Sequence, residues 1–464
     1  MELPSLDYRA RSRRSLSETP AVRESVTAAT RSFDDRRRAA FAGLDTDGLR
    51  EWAEAVKSHA LTGLADCLEL AEARLEERGV RVHWAETAED VHAVVAAVAE
   101  EEGVKRAVKA KTMLSEEVEL NPFLERIGIE VLETDLGEYI IQLLDEPPSH
   151  IVGPAIHRGI GEMRALFHDR FGTPLDATPE ELAARARSVL RDGFLSADLG
   201  ISGGNFLVAE TGSVALIENE GNIRMSTSLP RVHIALVGIE KVLPRWSDLG
   251  AFLQLTAKSA TGQPIGTFVS VIQGPGGSVG GEPDGPEVLH VVLVDNGRTR
   301  LLADPEAWEA LRCVRCGACL NICPVYRQTG GHAYGHVYPG PLGGIVTPGL
   351  IGLGRAHPLP FASSLCGACG DVCPVRIPIP ALLHTWRGKA VEAALTSRTT
   401  RAAMRAWGYA ATRPRLYAGA QGVIGLLPRG LVRRLPLLRE WDLGREVPRP
   451  AERTFREIWK GGIE

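Results

Sequence analysis

Seven of the chain's eight cysteines lie between residues 313 and 373, and that clustering limits the possible folds more than any other feature. The first run is Cys313-Val-Arg-Cys316-Gly-Ala-Cys319-Leu-Asn-Ile-Cys323-Pro324, or C-x2-C-x2-C-x3-C-P. Three thiolates spaced this closely can wrap three corners of an iron–sulfur cubane, and the fourth, before Pro, ligates the other cluster in two-cluster proteins. The small Gly317 and Ala318 let the backbone approach. Zinc sites use two separated Cys pairs or Cys/His pairs, which is a different spacing. A disulfide framework suits a small secreted chain, not one of 464 residues.

The second run, Cys366-Gly-Ala-Cys369-Gly-Asp-Val-Cys373-Pro374, aligns on Cys-Pro with its first Cys replaced by Ser363. Crossed ligation then assigns Cys313, Cys316, Cys319 and Cys373 to cluster 1, and Cys323, Cys366 and Cys369 to cluster 2. Both are expected to be [4Fe–4S] clusters. Three options remain for the open corner of cluster 2. Ser363 or Ser364 ligates through oxygen; a water, substrate or partner group takes the corner; or that iron is labile. Plain electron transfer with an unusual ligand is the simpler expectation. His332, His336 and His357 lie in the 42 residues between the runs and are further candidates to tune or complete a cluster. Cys67 stands alone in a helical pattern and reads as a small buried hydrophobe.

The length implies two or three domains, and 44% hydrophobic with 24% charged residues is enough to build cores. Residues 1–63 are polar and Arg-rich and read as a partly helical arm. Ser12-Arg13-Arg14-Ser15-Leu16 looks like a twin-arginine signal, but no apolar segment follows, so a cytoplasmic protein is expected. From residue 64 to about 300, helical and strand patterns alternate. Thr87–Asp90 forms a capping box, strands are expected near 80–84, 104–110, 129–132 and 288–295, and a helix spans 114–127. This argues for an α/β domain with a largely parallel sheet. Lys105, Lys109 and Lys111 alternate as solvated strand residues would.

Residues 205–209 and 213–217 read as a hairpin turning at Glu210-Thr211-Gly212. Polar residues crowd around it, and Glu210, Glu218 and Arg224 are candidates for binding a small carboxylate. Residues 273–281 are a Gly-rich loop without a phosphate-loop ending, and no G-x-G-x-x-G follows a strand to open a helix. A helical region at 301–384 is expected to hold the clusters, and 385–464 is a basic helical tail broken by Pro414, Pro428, Pro436, Pro448 and Pro450. That tail has 16 Lys and Arg against 7 Asp and Glu, a net of +9, which leaves −14 for the rest of a −5 chain. Such a tail suits an acidic partner or an anionic membrane, and Val423–Arg434 mixes apolar and basic residues as a peripheral contact at the inner membrane face would. Nucleic acid is not expected, since no aromatic platform is interleaved with the charge.

Four segments carry a family resemblance: SGGNFLVAETGSVALIENEGN at 202–222, CVRCGACLNICPVYR at 313–327, SSLCGACGDVCPV at 363–375, and ERTFREIW near the end. Together they resemble the iron–sulfur subunit of the bacterial L-lactate utilization system, the lactate utilization protein B family. The long spacing between the Cys runs also resembles the helical dicluster module of quinone-linked respiratory enzymes. The family implies an α/β domain similar to the sugar-isomerase and CoA-transferase fold, then a mainly α-helical dicluster ferredoxin domain and a helical C-terminal region. It implies two partner subunits, one Cys-rich and one α/β, and an electron path from L-lactate toward a quinone-linked acceptor. Alternatives are another 2-hydroxy acid such as glycolate, or a chain that itself binds substrate with cluster 2 at the active site.

Overall fold

The computed structural model describes residues 6–279, 282–426 and 455–461. Its strands are β1 Arg81–Ala85, β2 Arg106–Lys109, β3 Glu130–Glu133, β4 Leu199–Gly203, β5 Phe206–Val208, β6 Ser213–Glu218, β7 Val232–Gly238, β8 Val242–Leu243, β9 Phe268–Ile272, β10 Gly277–Val279, β11 Glu282–Asp284 and β12 Val288–Val294. Six of them form one parallel sheet in the order β1-β12-β7-β4-β2-β3. The inner strands are Val-, Leu- and Ile-rich because a parallel sheet is buried on both faces. One apolar layer packs Val91, Val95 and Leu124 against Ile201 and Ile234, and the opposite layer packs Leu68, Ala71 and Leu75 against Val237 and Val291.

The hairpin expected at 205–217 forms as β5 and β6, but it belongs to a second sheet, ordered β8-β5-β6-β9. Its turn is closed by Gly212 at φ +55°, where a Cβ would stand 2.7 Å from the Arg74 backbone carbon, so only glycine fits without displacement.

Three local expectations are corrected. Lys109 is not solvated: it is fully buried, with its ammonium 2.8 Å from Glu133 and 3.0 Å from Glu116, because β2 lies inside the sheet and is covered on both faces. Lys111 is partly buried and donates to Val152 O at 2.6 Å; Lys105 alone is exposed. The helix expected over 114–127 breaks into Met113–Glu117 and Leu120–Arg126, with Glu119 at φ +51° between them. Pro122 causes the break, because its ring and missing N–H oppose a continuous helix through residue 118. The Gly-rich 273–281 segment contributes β10 to a short hairpin with β11.

The described part of residues 6–62 is three helices, Tyr8–Glu18, Pro20–Phe41 and Thr46–Thr62. The middle helix packs on Trp246–Thr261 of the α/β domain and on Ala318–Ile322 and Pro324–Thr329 beside the cysteines. Thr27 Oγ1 donates to Arg327 O, Ser15 Oγ to Thr329 O, and Arg50 to Cys373 O and Gly370 O. This segment therefore straddles the two domains. Between the Cys runs, helix Gly340–Ile351 is buried on every side from Gly340 to Leu350, in a core shared with Leu320, Tyr326, Leu383 and Trp386.

Helix Arg398–Ala411 buries none of its residues and leaves Met404, Trp407 and Tyr409 exposed. Helices Pro414–Leu426 and Phe455–Lys460 follow. The basic run Val423–Arg434 is described only to Leu426, and Pro428, Pro436, Pro448 and Pro450 lie outside the described residues. No described helix is long and apolar enough to cross a membrane.

Candidate metal centre and adjoining cavity

The two cysteine runs share one backbone. Arg315 and Gly317 flank Cys316 at φ +59° and +78°, and Leu365 and Gly367 flank Cys366 at +53° and +91°. Short helices follow, Ala318–Ile322 and Ala368–Asp371, and each run then reaches its Cys-Pro. This correspondence puts Ser363 in the position of Cys313. The match extends to hydrogen bonding: Arg315 N–H donates to Cys313 Sγ at 3.4 Å, and Leu365 N–H donates to Ser363 Oγ at 3.1 Å.

The thiols of the two runs lie close enough to act on one another. Burial pushes the Cys316 and Cys319 thiols up, and nearby thiols push further: Cys313 and Cys373 act on Cys316, and Cys313, Cys316, Cys369 and Cys373 act on Cys319. Burial and Cys313 likewise raise Cys373 to about 11, against backbone N–H donation from Ile377. In the second run burial raises Cys369 to about 12, with Cys323 and Cys366 adding to it. Buried thiols that repel each other's thiolates need a cation to deprotonate them, and a metal supplies it. Thiolates around one zinc would stand about 4 Å apart, given a Zn–S bond of about 2.3 Å. Among the described residues no three cysteine sulfurs lie within 4.8 Å of one another. Cys316, Cys323, Cys369 and Cys373 are buried, whereas Cys366 is exposed and Ser364 beside it is at the surface.

The three insert histidines have other partners. His332 bonds Pro147 O, His357 bonds Gly354 O, and His336 Nδ1 faces Thr347. Cys67 sits in helix Leu64–Glu76, packed on the α/β core and away from the other cysteines.

A cavity of about 270 Å³ opens at the carboxyl ends of β2, β4 and β7, where ligands of open α/β sheets bind. Its lining includes Lys111, Asn205, Glu218, Glu240, Lys241, Arg298, Arg315 and Cys316. Of the three candidates for a carboxylate site, only Glu218 lines it. The Glu218 carboxylate caps helix Asn222–Ser228, accepting N–H bonds from Ile223 and Arg224 at 2.7 and 2.9 Å, and burial raises its pKa. Glu210 instead accepts the Trp246 N–H at the start of helix Trp246–Thr261, and Arg224 stacks over Phe268. Cys316 lines the cavity and Cys323, Cys366 and Cys369 do not, so the expected pocket beside cluster 2 is corrected to one beside the first run. The reason is topological: the Arg315–Cys316 loop turns in toward the strand ends, while Cys366 of the second run is at the surface.

Sequence reasoning missed the groups beneath this cavity. Arg298 donates to Glu117 at 2.8 and 2.9 Å and to Glu240 at 2.6 Å, and Arg315 reaches Glu240 at 3.3 Å. Tyr338 OH and the Asn296 amide complete Glu117. Burial alone would raise the Glu240 carboxyl, but Arg298 and Arg315 hold it down at about 2. This network joins the ends of β7 and β12 to the cysteine domain. Its members are far apart in sequence and follow no periodic pattern, so only the fold reveals them.

Family models match in three consecutive blocks: a LUD domain over residues 68–294, a 4Fe–4S dicluster domain over 309–377, and a lactate utilisation protein B C-terminal region over 383–462. The dicluster match and the cysteine geometry agree on two [4Fe–4S] clusters. The chain is 43% identical to lactate utilization protein B of Shouchella clausii, over 88% of each chain. It is 40% identical to the protein of that name from Bacillus pumilus, over 96% of this chain and 95% of the relative. It is also 38% identical to an uncharacterized electron transport protein, YkgF, of Escherichia coli, over 98% and 96%. Identity at this level over nearly the full length shows that the chain belongs to the lactate utilization protein B family.

Proposed function

We propose that this chain is the iron–sulfur electron-transfer subunit of an L-lactate-oxidising complex. Electrons pass from lactate through cluster 1 and cluster 2 toward a quinone-linked acceptor. The spacing of the two Cys runs carries the reading: crossed ligation supports Cys313, Cys316, Cys319 and Cys373 as ligands of cluster 1, and Cys323, Cys366 and Cys369 as ligands of cluster 2. Cluster 1 then adjoins the cavity, and cluster 2, with exposed Cys366, is the exit to a partner. Two further subunits, one Cys-rich and one with its own α/β domain, complete the complex. The unburied helix Arg398–Ala411, basic and amphipathic, supports docking of the tail to an anionic partner or to the inner membrane face. The reading is tested by growth of a deletion strain on L-lactate, glycolate or acetate. Loss on L-lactate alone is expected; loss on glycolate alone would reassign the substrate, and growth on all three would contradict the reading.

Ser363 is the fourth ligand of cluster 2 in this reading, held by the Leu365 N–H as Cys313 is held by Arg315. Ser363→Cys is therefore expected to give a four-thiolate cluster that loses iron several-fold more slowly in air, followed by the three-iron signal in electron paramagnetic resonance. An unchanged rate of loss would remove Ser363 from the ligand set.

A further inference from the structure

The cavity floor holds a guanidinium, that of Arg315, whose N–H groups the protein does not fully satisfy, with the Cys313 thiol as its neighbour. Arg298 is fully committed to Glu117 and Glu240. The Arg315 side chain, 8% exposed, stacks 4.6 Å over the Tyr338 ring and gives Glu240 only its Nη2. Its Nε and Nη1 are buried with no protein acceptor. Lys241 lines the same cavity, and the anionic groups acting on it are the Cys313 thiol and Glu240, which already holds both arginines. A buried guanidinium N–H without an acceptor is costly, so the floor calls for an anion. Of the other acidic lining residues, Asp135 faces Lys111 at 3.7 Å, Glu220 accepts the Leu136 N–H at 3.1 Å, and Glu218 accepts those of Ile223 and Arg224.

We propose that the cavity binds a small 2-hydroxy or 2-oxo acid, its carboxylate held between Lys241 and Arg315 beside Cys316. This rests on the reading of the chain as part of a hydroxy-acid-oxidising complex. A guanidinium fork matches a carboxylate in two parallel hydrogen bonds, and an ammonium adds a point charge. At about 270 Å³ the space is ample for a three-carbon acid. The neutral Thr112, Asn205 and Asn222 line the same cavity and are available to the ligand's hydroxyl or keto oxygen. Substrate bound here lies against a cluster 1 ligand, where electrons enter in the proposed path.

The test uses the cluster-loaded full chain for binding and the assembled complex for turnover. Pyruvate and inorganic phosphate are the probes, titrated by calorimetry. Pyruvate is expected to bind the wild-type chain, and Lys241→Met and Arg315→Lys are each expected to weaken it about 10- to 100-fold, the range for one charge-assisted hydrogen bond. In the complex both raise the KM for L-lactate more than they lower kcat, with iron content unchanged. If Arg315→Lys loses iron, Lys241→Met alone decides, since Lys241 is remote in sequence from the cysteines. Phosphate binding as tightly as pyruvate would make this an inorganic oxyanion site and overturn the proposal. An unchanged KM with a shifted cluster 1 potential would mean that the two cations serve only the cluster's charge, and would also overturn it. Pyruvate binding intact in a complex whose clusters L-lactate cannot reduce would leave this site standing and remove the electron-transfer reading.

Discussion

Cys316→Ser is expected to abolish cluster 1 and, with it, growth on L-lactate. Cys316 is buried at the contact between cavity and cysteine domain, flanked by two positive-φ residues that present its thiol. A serine hydroxyl gives up its proton far less readily than a thiol, so a corner iron loses its thiolate at this buried position. Iron should fall from about eight to about four atoms per chain, the difference of one cubane. In the proposed assignment cluster 2 draws on Cys323, Cys366 and Cys369, so it should persist as a spectroscopic signal while being cut off from its electron source. Cys67→Ser is the matched control: Cys67 lies in a helix of the α/β core, so that variant should retain all its iron. Iron and labile sulfide assays of purified chain check both. Retention of about eight irons by Cys316→Ser would contradict the ligand assignment.

Glu240→Gln is expected to cost roughly 3–5 kcal/mol, the range for breaking a buried ion pair by removing one partner. Glu240 and Arg298 are 1% and 2% exposed, and Arg298 would keep Glu117 but lose its 2.6 Å ion pair, while Arg315 would lose the one carboxylate it pairs with among the described residues. Because the network ties the strand ends to the cysteine domain, the thermal midpoint of the cluster-loaded chain should drop on the order of 10 °C. A midpoint within a degree of wild type would show that the network contributes little. The same pair sets an acid limit. Glu240 stays ionised in the folded state down to about pH 2, against a usual value near 4.5 when unfolded. Its contribution is therefore complete above about pH 4.5 and is lost as pH falls from there toward 2. The Gln variant should lack that part of the acid dependence.

How much of this was legible depended on how local each signal was. The Cys spacing, the Ser363 substitution and the 205–217 hairpin are patterns a few residues long, so they read directly. The parallel sheet followed from alternation, but Lys109 did not: a lysine in a strand looks solvated until β3 and its neighbours supply Glu133 and Glu116. The polar residues after β6 were rightly seen as crowded, yet only Glu218 of the three chosen reaches the cavity, because Glu210 and Arg224 are spent on a helix start and an aromatic face. Lys241, Arg298 and Arg315 carry no motif. They meet only because β7, β12 and the first Cys run end at one place, and that convergence is a property of topology.

The proposed function requires that electrons from L-lactate reach both clusters of this chain. The most direct measurement is an anaerobic titration of the assembled complex with L-lactate, followed by electron paramagnetic resonance. Two reduced [4Fe–4S] signals are predicted, with the cluster 1 signal missing from the Cys316→Ser complex. Clusters that dithionite reduces but L-lactate leaves oxidised would contradict the account.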